Sequence, residues 1–422
     1  MKEYSNFTDS LDDFLKSFKS GNNESWRSQA CKLVDGLASE ELRRLVSIEA
    51  RRDFGAFFTE SALAEKVLRH SKFRLSRGSF CYDPACGAGN LLIAIVNVIN
   101  QTKFKFSITD KVYGTDIHNE FVNATRLRLA INHLLRNDSE FDNAQLHRQI
   151  CVADGLINNK FYEQATHVFV NPPYNVADAN ESLTWSKGKV SQAAVFMDKI
   201  IEFISPGTAI TAILPDVLRS GSRYEKWRAI VNKTCRIEGL ELLGQFDKYA
   251  DVDVFAINLV KRKKALSLSV PTLLEQGANV EPEIMESSFD VCVGPVVDNR
   301  DPRKGQSLGY LVSKKLKDWS EINSLNLKRR HSGRSFKSPF VVIKRTSRLG
   351  DRHRAAAVIV NVPDPIYVDN HLIVVKPKSG RLNDCKQLLK ILKDNRTNNW
   401  LNQQIRCRHL TVKILSKLPL WR

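Results

Sequence analysis

Apolar and polar positions along residues 51–265 repeat one order: a short apolar strand, a turn and a helix. "GSFCYDPACGAGNLLIAIVNVIN" fits a strand, a glycine-containing turn and an apolar helix, and "KVYGTDIHNEFVNATRLRLAINHLL" repeats the scheme. "QICVADGL" and "HVFVNPP" are two more strand ends, and "FAINLVKRKK" closes the pattern. Such alternation predicts an α/β fold, an open and mostly parallel sheet covered by helices on both faces.

The pattern changes on either side of this stretch, which predicts three parts. Residues 1–50 form short amphipathic patterns typical of helices, as in "SWRSQACKLVDGLASEELRRLVS". Residues 266–302 are irregular, with prolines at 271, 282 and 295, so we expect the domain boundary there. Beyond it, "SPFVVIKRTS", "AAAVIVNV" and "NHLIVVKP" predict strands, and "RLNDCKQLLKILKDNRTNNWLNQQI" predicts a helical stretch. Residues 266–422 are therefore expected to form a smaller α+β domain.

The most informative feature of the composition is the distribution of charge. The net charge is +18, and residues 303–422 hold 27 Lys and Arg against 7 Asp and Glu, so residues 1–302 are close to neutral. Such an excess attracts a polyanion, and nucleic acid is the expected partner of this part of the chain.

Other features of the composition narrow the class of protein. No apolar run approaches the ~18–20 residues of a membrane span, and "MKEYSNFTDSLDDF" is too polar for a signal peptide. The eight cysteines form no CxxC pair, which disfavours a zinc site and indicates reduced thiols. We expect a cytoplasmic protein without a membrane partner or a metal.

Three polar strand ends suggest a cofactor site. Gly87 and Gly89 would let the backbone turn tightly after a strand and approach a ligand. Asp116 at the next strand end suits the hydroxyl groups of a ribose, and Asp154 at a third suits an adenine amino group. Each Asp could instead be a helix N-cap, and the glycines a simple turn. Together they suggest an adenosine-bearing cofactor without a pyrophosphate.

These motifs resemble a known family. "FFTE", "DPACGAGNLL" and, about 80 residues later, "NPPY" are similar to the gamma group of DNA adenine-N6 methyltransferases, the TaqI-like family. The resemblance implies a Rossmann-like S-adenosylmethionine-dependent domain in residues 51–265 and a DNA target-recognition domain in residues 266–422. It implies site-specific adenine methylation of double-stranded DNA by base flipping, as the modification enzyme of a restriction-modification system. A monomer is expected, and a separate restriction endonuclease is a candidate partner.

The resemblance also implies roles for individual residues. Thr59, which is also a candidate helix N-cap, and Asp83 would contact the amino-acid end of the cofactor. Asp116 would hold the ribose, and Asp154 the adenine amino group. The residues that would line the cofactor or sandwich its adenine are Ala85, Gly87, Gly89, Ile117 and Phe196.

The "NPPY" stretch would carry the chemistry. An exocyclic adenine amine is a poor nucleophile because its lone pair is delocalised into the ring. The Asn171 side-chain oxygen and the Pro172 carbonyl could accept its hydrogens, with the corner held rigid by Pro172 and Pro173. By resemblance, Tyr174 and Phe246 would stack on the flipped base. Phe246 could equally be ordinary core.

Two other functions fit parts of the sequence. "NPPY" also suits the methylation of an RNA adenine or a protein glutamine, but the basic C-terminal part and "FFTE" favour DNA. The chain could also be an inactive DNA-binding relative, although intact Asn171, Asp83 and Asp116 favour an enzyme. We find no metal-dependent nuclease motif, which favours a modification enzyme over a fused restriction enzyme.

Overall fold

The computed structural model describes residues 4–421 except 19–23, 55–57, 72–75, 77, 102–110, 138–141, 179–182, 248–249, 267–282 and 406–407. The chain forms two compact units, residues 1–218 with 224–275 and residues 219–223 with 276–422. Residues 267–282 of the predicted boundary stretch, 266–302, lie outside the described residues.

The first unit contains both the N-terminal helices and the predicted α/β domain. Its described helices are α1 (Ser5–Lys16), α2 (Glu24–Val34), α3 (Leu37–Leu45), α4 (Ile48–Phe54), α5 (Ser61–His70), α6 (Asn90–Gln101), α7 (Asn119–Asn137), α8 (Asn143–Gln149), α9 (Lys160–Gln164), α10 (Gln192–Phe203), α11 (Asp216–Ser220, which runs into the second unit) and α12 (Glu225–Thr234). Its described strands are β1 (Cys81–Asp83), β2 (Val112–Asp116), β3 (Ile150–Val152), β4 (His167–Val170), β5 (Val176–Asp178), β6 (Lys189–Ser191), β7 (Ala209–Pro215), β8 (Cys235–Asp247) and β9 (Ala250–Lys261).

Seven of these strands form one sheet in the order β3-β2-β1-β4-β7-β9-β8. The first five are parallel, whereas β9 runs antiparallel to both β7 and β8. All seven residues of β7 are buried, because a strand inside a parallel sheet is covered on both faces. The helices on the two faces form separate hydrophobic cores with the sheet. This architecture confirms the predicted α/β fold.

The helices that carry the site show the expected apolar spacing. In α10 the buried residues include Ala193, Met197, Ile200 and Ile201, which recur at helical spacing on the face toward the sheet. In α6, residues 91–96 are all buried, so the first half of the helix lies within the core. Burial of these helices fixes the turns at the carboxyl ends of the strands.

The N-terminal helices belong to the same compact unit as the sheet. Helices α1 and α2 pack on α7. Arg128 of α7 is fully buried and donates to the carbonyl oxygens of Leu33 (3.0 Å) and Val34 (2.7 Å) at the end of α2. The segment is thus anchored to α7 by hydrogen bonds as well as by packing.

The second unit is α+β, as predicted. Its described elements are β10 (Phe289–Val293), β11 (Gln306–Leu311), β12 (Glu321–Ile322), β13 (Lys328–His331), β14 (Phe340–Lys344), β15 (Ala357–Val360), β16 (Ile366–Val368), β17 (Leu372–Pro377), α13 (Met285–Ser288), α14 (Leu382–Lys393), α15 (Asn395–Gln404) and α16 (Val412–Ser416). The strands form a five-stranded sheet, β10-β17-β14-β15-β12, and a three-stranded sheet, β13-β11-β16.

Strand β14 shows how this unit is built. Val341 and Ile343 pack into one core with helices α14 to α16, while Phe340 and Val342 pack into a second core on the other face. The helical stretch predicted after β17 is divided at Asp394, whose side chain accepts from the Arg396 N–H and caps α15. In the part of the chain that the structure describes, no helix has both the length and the apolar character needed to cross a membrane.

Candidate active site

The glycine turn between β1 and α6 forms the floor of the site. Gly87 and Gly89 have φ of +51° and +86°, a region that side chains rarely adopt. A Cβ on Gly87 would lie 2.8 Å from the Phe58 ring. The Gly87 N–H donates to Asp116 Oδ2 (3.0 Å), and its carbonyl accepts from the Thr125 hydroxyl (2.7 Å). The turn is therefore tied to β2 and α7.

Asp116 lies at the carboxyl end of β2 with both carboxylate oxygens in hydrogen bonds. Oδ2 accepts from the Gly87 N–H, and Oδ1 accepts from the His118 N–H at 2.9 Å. Burial raises the pKa of Asp116, and these N–H groups oppose the rise by favouring the charged form. The two bonds fix the carboxylate beside the glycine turn.

Asp83 ends β1 with only 1% of its surface exposed. Its Oδ1 accepts from the Ala85 N–H at 3.0 Å. Burial raises the pKa of Asp83 to about 8; the Ala85 N–H lowers this pKa in part, and the nearby charge of Asp116 raises it. Asp83 is therefore a buried acid beneath the turn.

A cavity of about 260 Å³ opens at the carboxyl ends of the strands. It gathers six of the predicted cofactor residues, namely Ala85, Gly87, Asp116, Ile117, Asp154 and Phe196. Two of the predicted catalytic residues, Asn171 and Pro173, line the same cavity. The "DPACGAGN" and "NPPY" motifs, which lie about 80 residues apart, thus line one cavity.

The other six predicted site residues do not line the cavity. The Thr59 side chain is buried and accepts a hydrogen bond from Asn171. The predicted N-cap role for Thr59 is wrong, because the residue immediately before α5 is Glu60. Asp83 lies beneath the turn, as described above, and a Cβ on Gly89 would lie 2.9 Å from the Thr125 side chain. The remaining three, Pro172, Tyr174 and Phe246, are fully or partly buried around the end of β4.

Asn171 sits in a fixed hydrogen-bond arrangement. Its Nδ2 donates to Thr59 Oγ1 (3.0 Å), and its Oδ1 accepts from the Tyr174 hydroxyl (2.6 Å). The Tyr174 hydroxyl also lies 3.2 Å from the Ile213 carbonyl oxygen, and burial raises the pKa of Tyr174. The rings of Tyr174 and Phe246 meet edge to face with centroids 5.6 Å apart. The structure thus brings the two predicted aromatic residues together beside Asn171.

Several lining residues were missed by the sequence analysis. Gly155 follows Asp154 directly, and a glycine at a strand end was a usable sign in the sequence that the backbone makes a close approach there. In the structure, a Cβ on Gly155 would lie 2.2 Å from the Pro84 carbonyl oxygen. Asn175 and Gln192 carry no such signal, because they meet only through the β5–β6 hairpin, where the Gln192 N–H donates to the Asn175 carbonyl (2.9 Å). The other missed residues are Phe58, Pro84, His118, Phe121 and Leu156.

The arrangement has the chemistry of a nucleoside site beside an amide. Carboxylates of Asp116 and Asp154 can accept hydrogen bonds from hydroxyl or amino groups, and Ile117 and Phe196 offer apolar surface. Asn171 supplies an amide oxygen to the same space. Among the described residues, no group of three or more His, Cys, Asp and Glu side chains could hold a metal ion.

The sheet thus carries a glycine turn after β1 and an acidic end to β2. The family model for N-6 DNA methylases matches residues 39–264, more than half of the chain. The chain belongs to the N-6 DNA methylase family.

Solved structures share the fold at low sequence identity. The type IIL restriction-modification enzyme MmeI, solved in complex with DNA, is 12% identical over 91% of this chain and 70% of its own, with a TM-score of 0.56. The type IIG restriction endonuclease BpuSI is 14% identical over 94% of this chain, with a TM-score of 0.45, and the chain spans 63% of its length. A putative class I methyltransferase from Listeria monocytogenes is 16% identical over 64% of this chain and 90% of its own, with a TM-score of 0.35. The search of curated protein sequences found no match.

Proposed function

We propose that this protein transfers a methyl group from S-adenosylmethionine to the N6 amino group of adenine at specific sites in double-stranded DNA. The observation that carries the proposal is the single cavity that holds both the Asn171 amide and the carboxylates of Asp116 and Asp154. An amide oxygen can accept from an attacking amine, and the carboxylates suit a nucleoside cofactor. Membership of the N-6 DNA methylase family supports DNA as the substrate.

The residues of the cavity fit S-adenosylmethionine, which when bound supplies an electrophilic methyl group. Asp116 would accept from the ribose hydroxyls, since it is already oriented by two backbone N–H groups. The adenine would lie between Ile117, whose side chain is 59% exposed, and Phe196. Asp154 would accept from the adenine amino group. Asp83 would face the amino-acid end of the cofactor, and the glycines of the turn leave room for it.

Asn171 and Pro172 would act on the target amine. Their oxygens would accept its two hydrogens, which favours a tetrahedral nitrogen and stabilises the positive charge that develops during transfer. In the structure Asn171 Oδ1 accepts a hydrogen bond from the Tyr174 hydroxyl, and an amide oxygen has two lone pairs with which to accept hydrogens. No separate general base is then needed before attack.

Tyr174 and Phe246 would stack on the adenine once it is flipped out of the duplex. Their edge-to-face contact must open to admit a base. With Phe246→Ala, methyl transfer should slow on matched duplexes and recover when the target adenine is mispaired and cheaper to extrude. Single-turnover assays on both duplexes test this role; equal losses on the two substrates would remove it.

The second unit would read the DNA. It holds most of the net positive charge of the chain, and many of its Lys and Arg side chains are exposed. We infer that the protein is the modification enzyme of a restriction-modification system and acts as a cytoplasmic monomer, with a separate restriction endonuclease as a candidate partner. The similarity in fold to restriction-modification enzyme MmeI is consistent with this assignment.

The central test uses purified protein, methyl-labelled S-adenosylmethionine and unmethylated plasmid DNA, with the products identified as nucleosides by mass spectrometry. N6-methyladenine at defined sites is expected. Asn171→Ala should cut single-turnover methyl transfer by ~10²–10³ while cofactor affinity, measured by calorimetry, stays unchanged. Label in RNA or in a protein glutamine would favour the alternative substrates. Cofactor and DNA binding without transfer would favour an inactive relative.

A further inference from the structure

A buried chain of polar side chains runs from the N-terminal helices to the end of β4. It starts at Arg128, which is fully buried. The guanidinium donates to the carbonyls of Leu33 and Val34, to the Ala88 carbonyl in the glycine turn, and to Asn90 Oδ1 (2.6 Å). Burying a charge is costly unless the charge is hydrogen-bonded. Because the buried Arg128 needs these bonds, it holds the four acceptor groups in place.

Asn90, the first residue of α6, is the next member of the chain. Its Oδ1 accepts from Arg128, so its Nδ2 must point the other way. Nδ2 donates to the Thr59 carbonyl (2.5 Å) and lies 3.3 Å from the Ser39 hydroxyl. Only 7% of Asn90 is exposed, which shields these bonds from water. Asn90 therefore fixes the backbone at Thr59.

Thr59 completes the chain. Its side chain is buried, and Oγ1 accepts from Asn171 Nδ2 at 3.0 Å, although 112 positions separate the two residues. With Nδ2 held by Thr59, the Asn171 oxygen faces the Tyr174 hydroxyl. If the amide were turned over, it would present N–H groups to the target amine instead of an acceptor.

We propose that Thr59 is a positioning residue, held by Asn90 and Arg128, that fixes the Asn171 amide with its oxygen toward the target amine. This inference rests on the proposed function and extends it. It assigns Thr59 to the catalytic asparagine rather than to the cofactor, whose cavity Thr59 does not line. It also gives the N-terminal helices a part in the site, through the bonds of Arg128 to α2.

The test compares Thr59→Val, which keeps the shape and loses the acceptor, with Thr59→Ser, which keeps the hydroxyl. At saturating cofactor and DNA, Thr59→Val should slow single-turnover methyl transfer about 10-fold to 100-fold, because misorientation of a reacting group costs factors of this size. Its dissociation constant for S-adenosylmethionine should stay within about threefold of wild type. Thr59→Ser should restore most of the rate.

Thr211→Val is the matched control for a loss of stability alone. Thr211 is also buried, and its hydroxyl bonds to Asn258 Oδ1 (2.8 Å) on the neighbouring strand β9, away from the cavity. It should lower the melting temperature about as much as Thr59→Val does and leave the transfer rate unchanged. A normal rate in Thr59→Val, or a loss confined to cofactor affinity, would overturn the proposal.

A second measurement separates this inference from the proposed function. Thr59→Val and Asn171→Ala should lower the melting temperature less in combination than the sum of the two single changes, since both remove the same hydrogen bond. This holds whatever the substrate. DNA left unmethylated by the wild type would overturn the proposed function, while strictly additive losses of stability would overturn the Thr59–Asn171 coupling.

Discussion

Asp83 illustrates how strongly the fold changes a single residue. Its carboxyl group is almost completely buried, and burial raises its pKa to about 8 against an ordinary value of 3.8. The folded protein therefore holds a proton at Asp83 near neutral pH, whereas the unfolded chain releases it. Ionisation of Asp83 thus opposes folding, and its effect on stability depends on pH.

We predict that Asp83→Asn changes this pH dependence. Because the folded-state pKa is raised, the wild type should lose stability as the pH rises from about 4 to about 8, by up to ~1.4 kcal/mol per pH unit. The neutral amide of the variant should remove this contribution. As the pH rises over the same range, the free energy of unfolding of the variant should therefore increase relative to that of the wild type. Denaturant melts across a pH series measure the difference. Parallel stability curves would show that Asp83 is ionised in the folded protein.

At the scale of elements, helix α1 supports a wall of the site. Tyr4, immediately before α1, meets Phe121 (ring centroids 5.2 Å) and Phe58 (6.0 Å), both of which line the cavity. Its hydroxyl donates to the Ala38 carbonyl at 3.2 Å. The ring therefore joins the N-terminal helices to the wall of the cavity formed by Phe58 and Phe121.

We predict that Tyr4→Ala weakens S-adenosylmethionine binding, although Tyr4 itself does not line the cavity. Loss of a buried aromatic ring typically costs ~3–5 kcal/mol of stability, and here it also removes support for Phe58 and Phe121. Tyr4→Phe keeps the ring, loses one hydrogen bond and should bind the cofactor normally. Calorimetry and thermal melts of both variants provide the test. Unchanged affinity in a folded Tyr4→Ala protein would disprove the supporting role.

Strand β13 of the second unit carries one buried arginine, which is held by other protein groups, and two exposed basic side chains, which can bind a ligand. The side chain of Arg329 is buried, ion-paired with Asp298 and bonded to the Asp301 carbonyl (3.0 Å). Lys328 and Arg330 are exposed, and alternation along a strand puts both on the opposite face from Arg329. These two side chains, unlike Arg329, are available to phosphates.

We predict different defects for the two faces of β13. Combined Lys328→Ala and Arg330→Ala should weaken DNA binding and reduce the slope of log affinity against log salt by ~1.8, or ~0.9 for each phosphate that is no longer neutralised. Arg329→Met should instead lower the melting temperature, because it removes the ion pair with Asp298 and the buried hydrogen bond to the Asp301 carbonyl. Fluorescence anisotropy over a salt series and thermal melts distinguish them. A slope that the double variant leaves unchanged would place the phosphate-binding side chains elsewhere on the unit.

At the scale of the whole molecule, the cavity and most of the net positive charge belong to different units. The cavity lies within the first unit, whereas most of the net positive charge lies in residues 303–422. Each unit has its own hydrophobic core. A ligand that binds only the native first unit should therefore stabilise that unit selectively.

We predict that S-adenosylmethionine at 100 times its dissociation constant stabilises the first unit by ~2.7 kcal/mol. Hydrogen exchange measured by mass spectrometry should show slower exchange in peptides from β1, β2 and α6, and little change in β14 and β17. DNA alone should give the reverse distribution. Equal protection of both units by the cofactor would indicate that they unfold as one cooperative body.

Sequence by itself determined the local features of this protein. The strand–turn–helix order predicted the α/β fold, because a hydrophobic period is set by neighbouring residues. Gly87 and Asp116 could be assigned to the site, since the carboxyl ends of parallel strands meet at one edge of the sheet. The uneven charge was likewise a property of composition alone.

Tertiary structure decided which of these groups touch. Nothing near Thr59 in the sequence indicates that its hydroxyl bonds to Asn171, or that Arg128 reaches both α2 and the glycine turn. Tyr174 and Phe246 meet although β7 and β9 lie between β4 and β8 in the sheet. Such contacts depend on strand order and packing between distant segments, and a buried hydrogen bond forms only where that packing places donor and acceptor within about 3 Å.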